Sequence, residues 1–535
     1  MDTCPSGPDL TDLIDLLQKP SAYLHPVESV RVVQTHISCV LLTGEYAYKI
    51  KKPVDFGFLD YRTLPQRRRC CEQEVRLNRR LCPDLYLETA PITQETEGLR
   101  VGGAGEPVEW AVRMKQLREE DMLPQRLRAY AVSSEDMAHL AGRLATFHQS
   151  APTNDAIRAY GARAAVADTI AVTLQTMDSV ARETQSATIR QGLRDYLEGF
   201  PEAHPDLFAR RVEENRIRDC HGDLRTQNIC LDARYEDGIQ VFDCIEFNDA
   251  FRYIDVAADI AYLAMDLDLA GRADLSAALM DAYTRETEDR SLAAILPFYL
   301  VYRAVVRGNI ALLAAHESEI PEEERREQRD IAAAAYDLAR SYSQRRPQPA
   351  LFITVGFSGV GKSVLADALV RRLPAVHLSS DCMRKVRAGV PPEKRLGSGQ
   401  YTAFRRAETY RALRERAEGY LLQGRHVLLD ATFLDPQERE SAACLARDHN
   451  AEFWILECRA PDALIRQRLQ ARQTDSHASD ADLLVYEQQR FDYCKAGPFL
   501  LPSSAPSHHV CVDTSGPTAE AAHDIVERFA AQSAI

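Results

Sequence analysis

A chain of 535 residues exceeds what one hydrophobic core organises, so two or three domains are expected. Hydrophobic residues make up 45% and charged residues 27%, which excludes a disordered or fibrous chain. The formal net charge of −14 argues against wholesale binding to nucleic acid or to an anionic membrane surface. In chain order, residues 8–18 read as a short amphipathic helix. VRVVQT, ISCVLLT and YAYKIKK follow as three β-rich runs, with a turn at Gly44 between the last two. In the third run Tyr46, Tyr48 and Ile50 share one face, and Ala47, Lys49 and Lys51 the other. A helix rich in Arg and Glu is predicted at about 65–81, and strands resume at LYLETAPI and EWAVRMKQL. The pattern then turns helical. SSEDMAHLAGRLATFH opens on a capping box, Ser133 with Asp136, and further helical runs fill 154–215. A short mixed stretch, CHGDLRTQNICLDARYEDGIQVFDCIEFND, interrupts the helices, which return over about 254–339. SQRRPQP, 343–349, reads as a linker before LFITVGFSGVGKS. Beyond it the apolar runs AVHL, HVLLD, FWILEC and HHVCVD alternate with helical stretches. With the strand before the glycine-rich loop they predict a five-stranded parallel sheet with crossover helices.

The thirteen cysteines are scattered, with neither C-x-x-C nor a zinc-type spacing, which fits free thiols in a reducing cytoplasm. The first residues are acidic and show no basic region followed by an apolar core, so no signal peptide is expected. No run of about 18 apolar residues is read in the sequence, so no membrane span is expected.

The motif with the sharpest chemistry is G-x-x-x-x-G-K-S. Gly356, Ser358, Gly359, Val360, Gly361, Lys362 and Ser363 form a loop between an apolar strand and an apolar-periodic helix. Glycines let backbone N–H groups turn toward a phosphate, and the helix N-terminus adds a favourable dipole. Lys362 is expected on the β- and γ-phosphates of a nucleoside triphosphate, and Ser363 on Mg²⁺. Asp381 and Arg384, in SSDCMRK, follow the second strand. Open parallel sheets bind ligands at the carboxyl ends of strands, where Asp381 can take a hydroxyl proton and Arg384 an anionic group. Asp430, ending HVLLD, is a candidate carboxylate for the Mg²⁺ shell. Arg468 and Arg472 lie on one helical face.

A second constellation lies upstream. HGDLRTQN places His221, Asp223 and Asn228 in the spacing of a kinase catalytic loop, with glycine where arginine is usual. Asp243 closes the run IQVF, and Asp237–Gly238 supply a hairpin turn between the two flanking strands. Asp223, Asn228 and Asp243 are thereby expected at one edge. Phosphoryl transfer needs a carboxylate for the attacking hydroxyl's proton, plus an Asn and a second carboxylate for Mg²⁺. Asp223 is assigned the first role, Asn228 and Asp243 the second, and His221 is assigned a bracing role. The kinase plan also needs a strand lysine paired with a helix glutamate. Alternation does not separate Lys49 from Lys51, nor Glu72 from Glu74; Lys49 and Glu74 are the assigned pair. The arginines of the 65–81 helix read as a solvated face, with a nucleic-acid groove as the minor reading.

Residues from about 30 to 340 resemble the aminoglycoside phosphotransferase family, relatives of the protein kinases. The matching segments are THISCVLLTGEYAYKIKKPVDFGFLDYRTL, EVRLNRRLCPDLYL, HGDLRTQN and VFDCIEFNDAFRYIDVAADIAYL. The whole chain resembles bacterial bifunctional aminoglycoside phosphotransferase/ATP-binding proteins. The resemblance implies a two-domain chain. Over 1–345 it implies an α+β protein-kinase-like fold, with an N-lobe at about 28–117, a C-lobe at about 118–342 and ATP between the lobes. An α/β P-loop domain follows over 350–535. It also implies that Asp259 supports the catalytic loop. Two departures stand out: QTHIS replaces the glycine-rich loop, and Cys-Ile-Glu follows Asp243 in place of Phe-Gly. The D-x-x-R of the C-terminal half resembles P-loop kinases that phosphorylate hydroxyls, such as polynucleotide 5′-kinases and gluconate-kinase-like enzymes. In nucleoside-kinase-like folds, arginines placed like Arg468 and Arg472 sit on a lid over the transferring phosphate. The expectation is two ATP- and Mg²⁺-dependent phosphotransferase modules acting on a small-molecule hydroxyl. The alternative is an N-terminal nucleotide sensor or scaffold regulating a C-terminal kinase, with a polynucleotide 5′-hydroxyl as one acceptor. Oligomeric state is not readable from the chain.

Overall fold

The structure, a computed structural model, describes residues 10–57, 59–96, 98–182, 184–235, 237–317, 321–344, 348–387, 403–422, 424–471, 483–496, 501–503 and 507–531. The chain divides into two compact units. One comprises Met1–Arg128, Gly142–Ala165 and Phe208–Ile260; the other comprises Ala129–Ala141, Val166–Leu207 and Ala261–Ile535. The sequence places a domain boundary at 345–350. By packing, the helices Ala273–Thr287, Leu292–Ala315 and Glu322–Ser343 fall in the same unit as the C-terminal sheet.

The first unit is built on a six-stranded antiparallel sheet in the order β1-β2-β3-β6-β4-β5. Its strands are β1 (Arg31–Gln34), β2 (Ser38–Leu42), β3 (Tyr46–Lys51), β4 (Tyr86–Glu95), β5 (Gly98–Val101) and β6 (Pro107–Lys115). Strand β5 was not among the expected runs; its four residues pair with the end of β4 as a hairpin. Alternation along β3 sorts the two faces. Tyr48 and Ile50 pack with Leu13, Ile14 and Leu17 of the helix Leu10–Leu17. Lys49 and Lys51 face the helix Leu64–Asn78, whose Glu74 meets both. That helix starts on a capping box: Thr63 Oγ accepts from the Gln66 N–H at 3.4 Å, and Gln66 Oε1 accepts from the Thr63 N–H at 3.1 Å. Two short antiparallel pairs complete the unit's strands. They are β7 (Ile217–Asp219) with β10 (Tyr253–Asp255), and β8 (Ile229–Leu231) with β9 (Ile239–Val241).

The second unit contains the expected five-stranded parallel sheet, in the order β12-β13-β11-β14-β15. These are β11 (Ala350–Val355), β12 (Ala375–Ser379), β13 (His426–Asp430), β14 (Glu452–Arg459) and β15 (Ser507–Asp513). Every residue of β11 is buried, as a central parallel strand covered on both faces requires. One core, with Phe352, Trp454, Leu369 and Phe529, covers one face; another, with Ile353, Ile455, Leu413 and Ala442, covers the other.

The helix Leu292–Ala315 is long and apolar enough to cross a membrane by length and composition, with a mean hydropathy of 1.3 over its most apolar window. Charged residues at Arg303 and Arg307 break up its apolar letters and hide it as a run. Within the fold, 61% of that window is buried, and Asn309 of the helix accepts from Tyr336 Oη of Glu322–Ser343 at 2.6 Å. Its burial is that of a core helix.

Candidate active sites

In the first unit, the ion pairs start on β3. Lys49 Nζ donates to Glu74 Oε1 at 2.9 Å, and Lys51 Nζ donates to Glu74 Oε2 at 2.6 Å. Glu74 is fully buried, and Lys51 is only 1% exposed. Burial would push the Glu74 carboxyl up, but Lys49 and Lys51 more than offset it and hold it low. Glu72, the alternative partner, lies on the exposed face and pairs with Arg68 at 2.8 Å. Lys49 also donates to the Asp243 carboxylate, and Lys51 to that of Glu246. Tyr61 Oη donates to Glu246 as well. The sequence reading missed Lys51, Glu246 and Tyr61 as a network, although the Cys-Ile-Glu departure after Asp243 was its visible trace. Several arginines of the Leu64–Asn78 region are also not a solvated face. Arg67 is buried against Glu109 at 2.8 Å, and Arg80 donates to the carbonyls of Asp219 and Cys220 at 2.8 and 3.0 Å.

The catalytic-loop motif lies between β7 and β8. Asn228 Nδ2 donates to the Asp223 carbonyl at 2.9 Å and to its carboxylate at 3.0 Å. Arg225 grips the same carboxylate with two bonds, at 2.7 and 2.8 Å. Burial pushes the Asp223 carboxyl up, but Arg225, His221 and Asn228 outweigh it, so Asp223 is a carboxylate at neutral pH. Asp243 behaves alike: burial raises it, and Lys49 more than compensates. Its backbone is left-handed, φ +64°, a conformation that non-glycine residues hold at a cost of order 1–3 kcal/mol and that clusters at functional sites. The β8–β9 hairpin gathers the three residues, with the Phe242 N–H bonded to the Asn228 carbonyl at 3.0 Å.

Behind this loop stands Asp259, fully buried in the helix Val256–Leu269. It accepts from the backbone N–H groups of His221 and Gly222, both at 2.9 Å, and pairs with His148 Nε2 at 3.1 Å. Gly222 has φ +87°, and a Cβ there would lie 2.7 Å from the Phe251 carbonyl oxygen, which explains glycine in place of arginine. His221 Nε2 sits 3.0 Å from the Phe242 carbonyl, and its Nδ1 accepts from the Asp223 N–H at 3.3 Å. Burial holds this imidazole neutral, so it braces the loop.

In the second unit, the glycine-rich loop joins β11 to the helix Lys362–Val370. Gly356, Gly359 and Gly361 all have positive φ; a Cβ on Gly356 would lie 2.9 Å from the Cys458 carbonyl oxygen. Lys362 Nζ donates to the Phe357 carbonyl at 2.8 Å, curling back over the loop. Asp430 ends β13 opposite Ser379 and receives Thr354 Oγ at 3.2 Å. Burial pushes it up, but His377, Lys362 and Ser363 hold it low. His377 lies between Asp367, at 3.3 Å, and Asp430, at 3.5 Å. Burial opposes its charge, yet the two carboxylates raise it to about 10. His377 carried no signal in the sequence beyond lying in a strand.

Asp381 and Arg384 stand on the helix Ser380–Arg387 directly after β12 and pair with each other. Arg468 lies against the glycine-rich loop: its guanidinium donates to the carbonyls of Val360 at 3.0 Å and Thr514 at 2.7 Å. Arg472 lies outside the described residues. Gln489, absent from the sequence reading, accepts from the Ser358 N–H at 2.9 Å and donates to its hydroxyl at 3.0 Å.

Residues 111–295 match the Phosphotransferase enzyme family, and residues 351–495 match an AAA domain. Uncharacterized proteins of Mycobacterium tuberculosis and Mycobacterium bovis are 32% identical to the chain over 480 residues, covering 88% of it and 92% of each relative. Among solved structures, a choline/ethanolamine kinase family protein from Mesorhizobium loti is similar over 62% of this chain and 94% of its own, at 12% identity and a TM-score of 0.39. A gluconokinase from Sinorhizobium meliloti is similar over 35% of this chain and 97% of its own, at 19% identity and a TM-score of 0.25.

Proposed function

We propose that this chain, which belongs to the family of the mycobacterial proteins above and itself matches the Phosphotransferase enzyme family over 111–295 and an AAA domain over 351–495, carries two kinase sites. Each moves the γ-phosphate of ATP to a hydroxyl of a small molecule. The reading rests on one observation above all: Asp223, Asn228 and Asp243 gather at one hairpin edge, with the Lys49–Glu74 pair anchored to Asp243. In that site the hydroxyl oxygen attacks the γ-phosphorus, its proton passes to the Asp223 carboxylate, and the bridging bond breaks to release ADP. Arg225 fixes the orientation of that carboxylate. In the second site the roles fall to Asp381 as base, Arg384 as anion holder, and Lys362 with the loop N–H groups as phosphate cradle. Asn228 with Asp243, and Ser363 with Asp430, offer the oxygen donors that Mg²⁺ prefers. Mg²⁺, when bound, supplies charge neutralisation on the phosphates.

A cytoplasmic setting is part of this proposal, supported by the eleven described cysteines, all free thiols. Nucleic acid is the lesser candidate for acceptor, since Arg67 and Arg80 are engaged inside the fold. The test is a screen of sugars, amino alcohols, aminoglycosides and 5′-hydroxyl oligonucleotides with labelled ATP. Label transfer that Asp223→Ala abolishes supports a working first kinase.

A second reading is favoured by the turn between β1 and β2. Thr35 and Ser38 close it with four mutual hydrogen bonds, and it contains no glycine to cradle phosphate. On that reading the first unit senses nucleotide and regulates the second. Phosphotransfer fully retained in Asp223→Ala and lost in Lys362→Ala would select it.

A further inference from the structure

Three side chains on β14 and β15 converge on one point at the edge of the parallel sheet, and none belongs to the sites above. Glu457 Oε2 lies 2.9 Å from His509 Nε2 and 3.6 Å from Cys511 Sγ, and Cys511 Sγ lies 3.9 Å from the same Nε2. The sheet register produces this. Glu457 pairs directly with Cys511 across the two strands, and His509, two residues earlier, shares Cys511's face. Such a set is invisible to linear zinc spacing, because one ligand comes from a strand about 50 residues away.

The geometry separates two chemistries. A nucleophile relay needs the acid on one imidazole nitrogen and the thiol on the other. Here the carboxylate and the thiol both approach Nε2, which is how ligands surround a shared ion. Tetrahedral zinc, with bonds of about 2.0–2.3 Å, separates O, N and S ligand atoms by about 3.4–3.6 Å. The observed edges of 2.9, 3.6 and 3.9 Å bracket that triangle. The side chains of Glu457 and His509 are 13% and 24% exposed, and Cys511 is exposed, so the fourth corner opens to solvent. A groove lined by Arg459, Pro461, Cys511 and Asp513 gives the entry path. Arg459 Nε holds the other oxygen of Glu457 at 2.8 Å. It orients the carboxylate and opposes the cation, against which the carboxylate and a thiolate bring two negative charges.

We infer that Glu457, His509 and Cys511 form a zinc site, with water as the fourth ligand. Binding deprotonates the Cys511 thiol, and its proton leaves to solvent. The ion ties β14 to β15 three residues before Thr514, whose hydroxyl donates to the Val360 carbonyl of the phosphate loop.

The test uses the full-length protein, freed of metal by chelation and titrated with Co²⁺ and then Zn²⁺. One equivalent of cobalt is expected to raise a thiolate-to-cobalt charge-transfer band, which zinc removes. Cys511→Ser abolishes the band, and His509→Ala or Glu457→Gln weakens zinc binding by on the order of 100-fold or more. Circular dichroism checks that each variant is folded. Absence of the band in the native chain, or its survival in Cys511→Ser at full strength, overturns the assignment, the latter by placing the metal on another thiol.

Discussion

Replacing Asp259 by alanine removes a single acceptor from beneath the whole catalytic loop. The carboxylate is fully buried and serves the N–H groups of His221 and Gly222 at 2.9 Å each, and His148 at 3.1 Å. Truncation removes the acceptor shared by the two loop N–H groups and His148 Nε2, at about 1–3 kcal/mol for each bond lost. These donors are neighbours, so their losses overlap, and a total of about 3–5 kcal/mol is expected for the unit that holds the loop. Against a typical domain stability of roughly 5–15 kcal/mol, the variant should fold but open its loop readily. Hydrogen exchange over residues 218–224 reads this directly, with phosphotransfer measured in a Lys362→Ala background so that only the first site reports. Acid sensitivity should change in the same direction. Burial pushes the Asp259 carboxyl up, but His148, His221 and the loop N–H groups hold it well below the usual carboxylate range. A depressed folded-state pKa gives stability that is present above about pH 4 and lost as pH falls through the folded value. Asp259→Ala should therefore lose that part of the acid limb. Unchanged exchange protection of the His221 and Gly222 amides in Asp259→Ala would refute the reasoning.

The two strand lysines should separate by phenotype. Lys51→Met takes a buried cation from both Glu74, which keeps Lys49, and Glu246, which keeps only the Tyr61 hydroxyl among its described partners, and should destabilise the first unit by about 3–5 kcal/mol, read by urea unfolding. Lys49→Met, less buried and joined to Asp243, should lower phosphotransfer more than stability. His377 is raised to about 10 by Asp367 and Asp430. A raised folded-state pKa gives stability that is full below about pH 6.5 and lost as pH climbs through 10, so His377→Gln should flatten that alkaline decline in thermal scans. Gly356→Ala forces a Cβ to within 2.9 Å of a backbone oxygen at φ +146° and should cost on the order of 1–3 kcal/mol while weakening ATP binding, read by calorimetry.

The parts of the sites that sequence made legible share a physical cause: their chemistry depends on local spacing. The G-x-x-x-x-G-K-S loop needs glycines at positive φ within a few residues, and all three adopt it. The loop from His221 to Asn228 likewise closes on itself over five residues, from Asp223 to Asn228. What escaped were contacts set by tertiary packing. Alternation put Lys49 and Lys51 on one face, and only the fold shows that both reach Glu74. Arg468 lies on a helix that packs against the loop, so its charge meets backbone carbonyls, a role no helical spacing encodes. The helix Leu292–Ala315 falls within the helical stretch read over 254–339, but only the fold shows Arg303 buried among its apolar residues.

The central claim is that one chain grips ATP at two separate sites. Calorimetric titration of the full-length protein with a non-hydrolysable ATP analogue and Mg²⁺ tests it most directly. Two equivalents are expected, falling to one in Lys362→Ala and to one in Asp243→Asn. A single equivalent in the native protein that vanishes entirely in Lys362→Ala would contradict it.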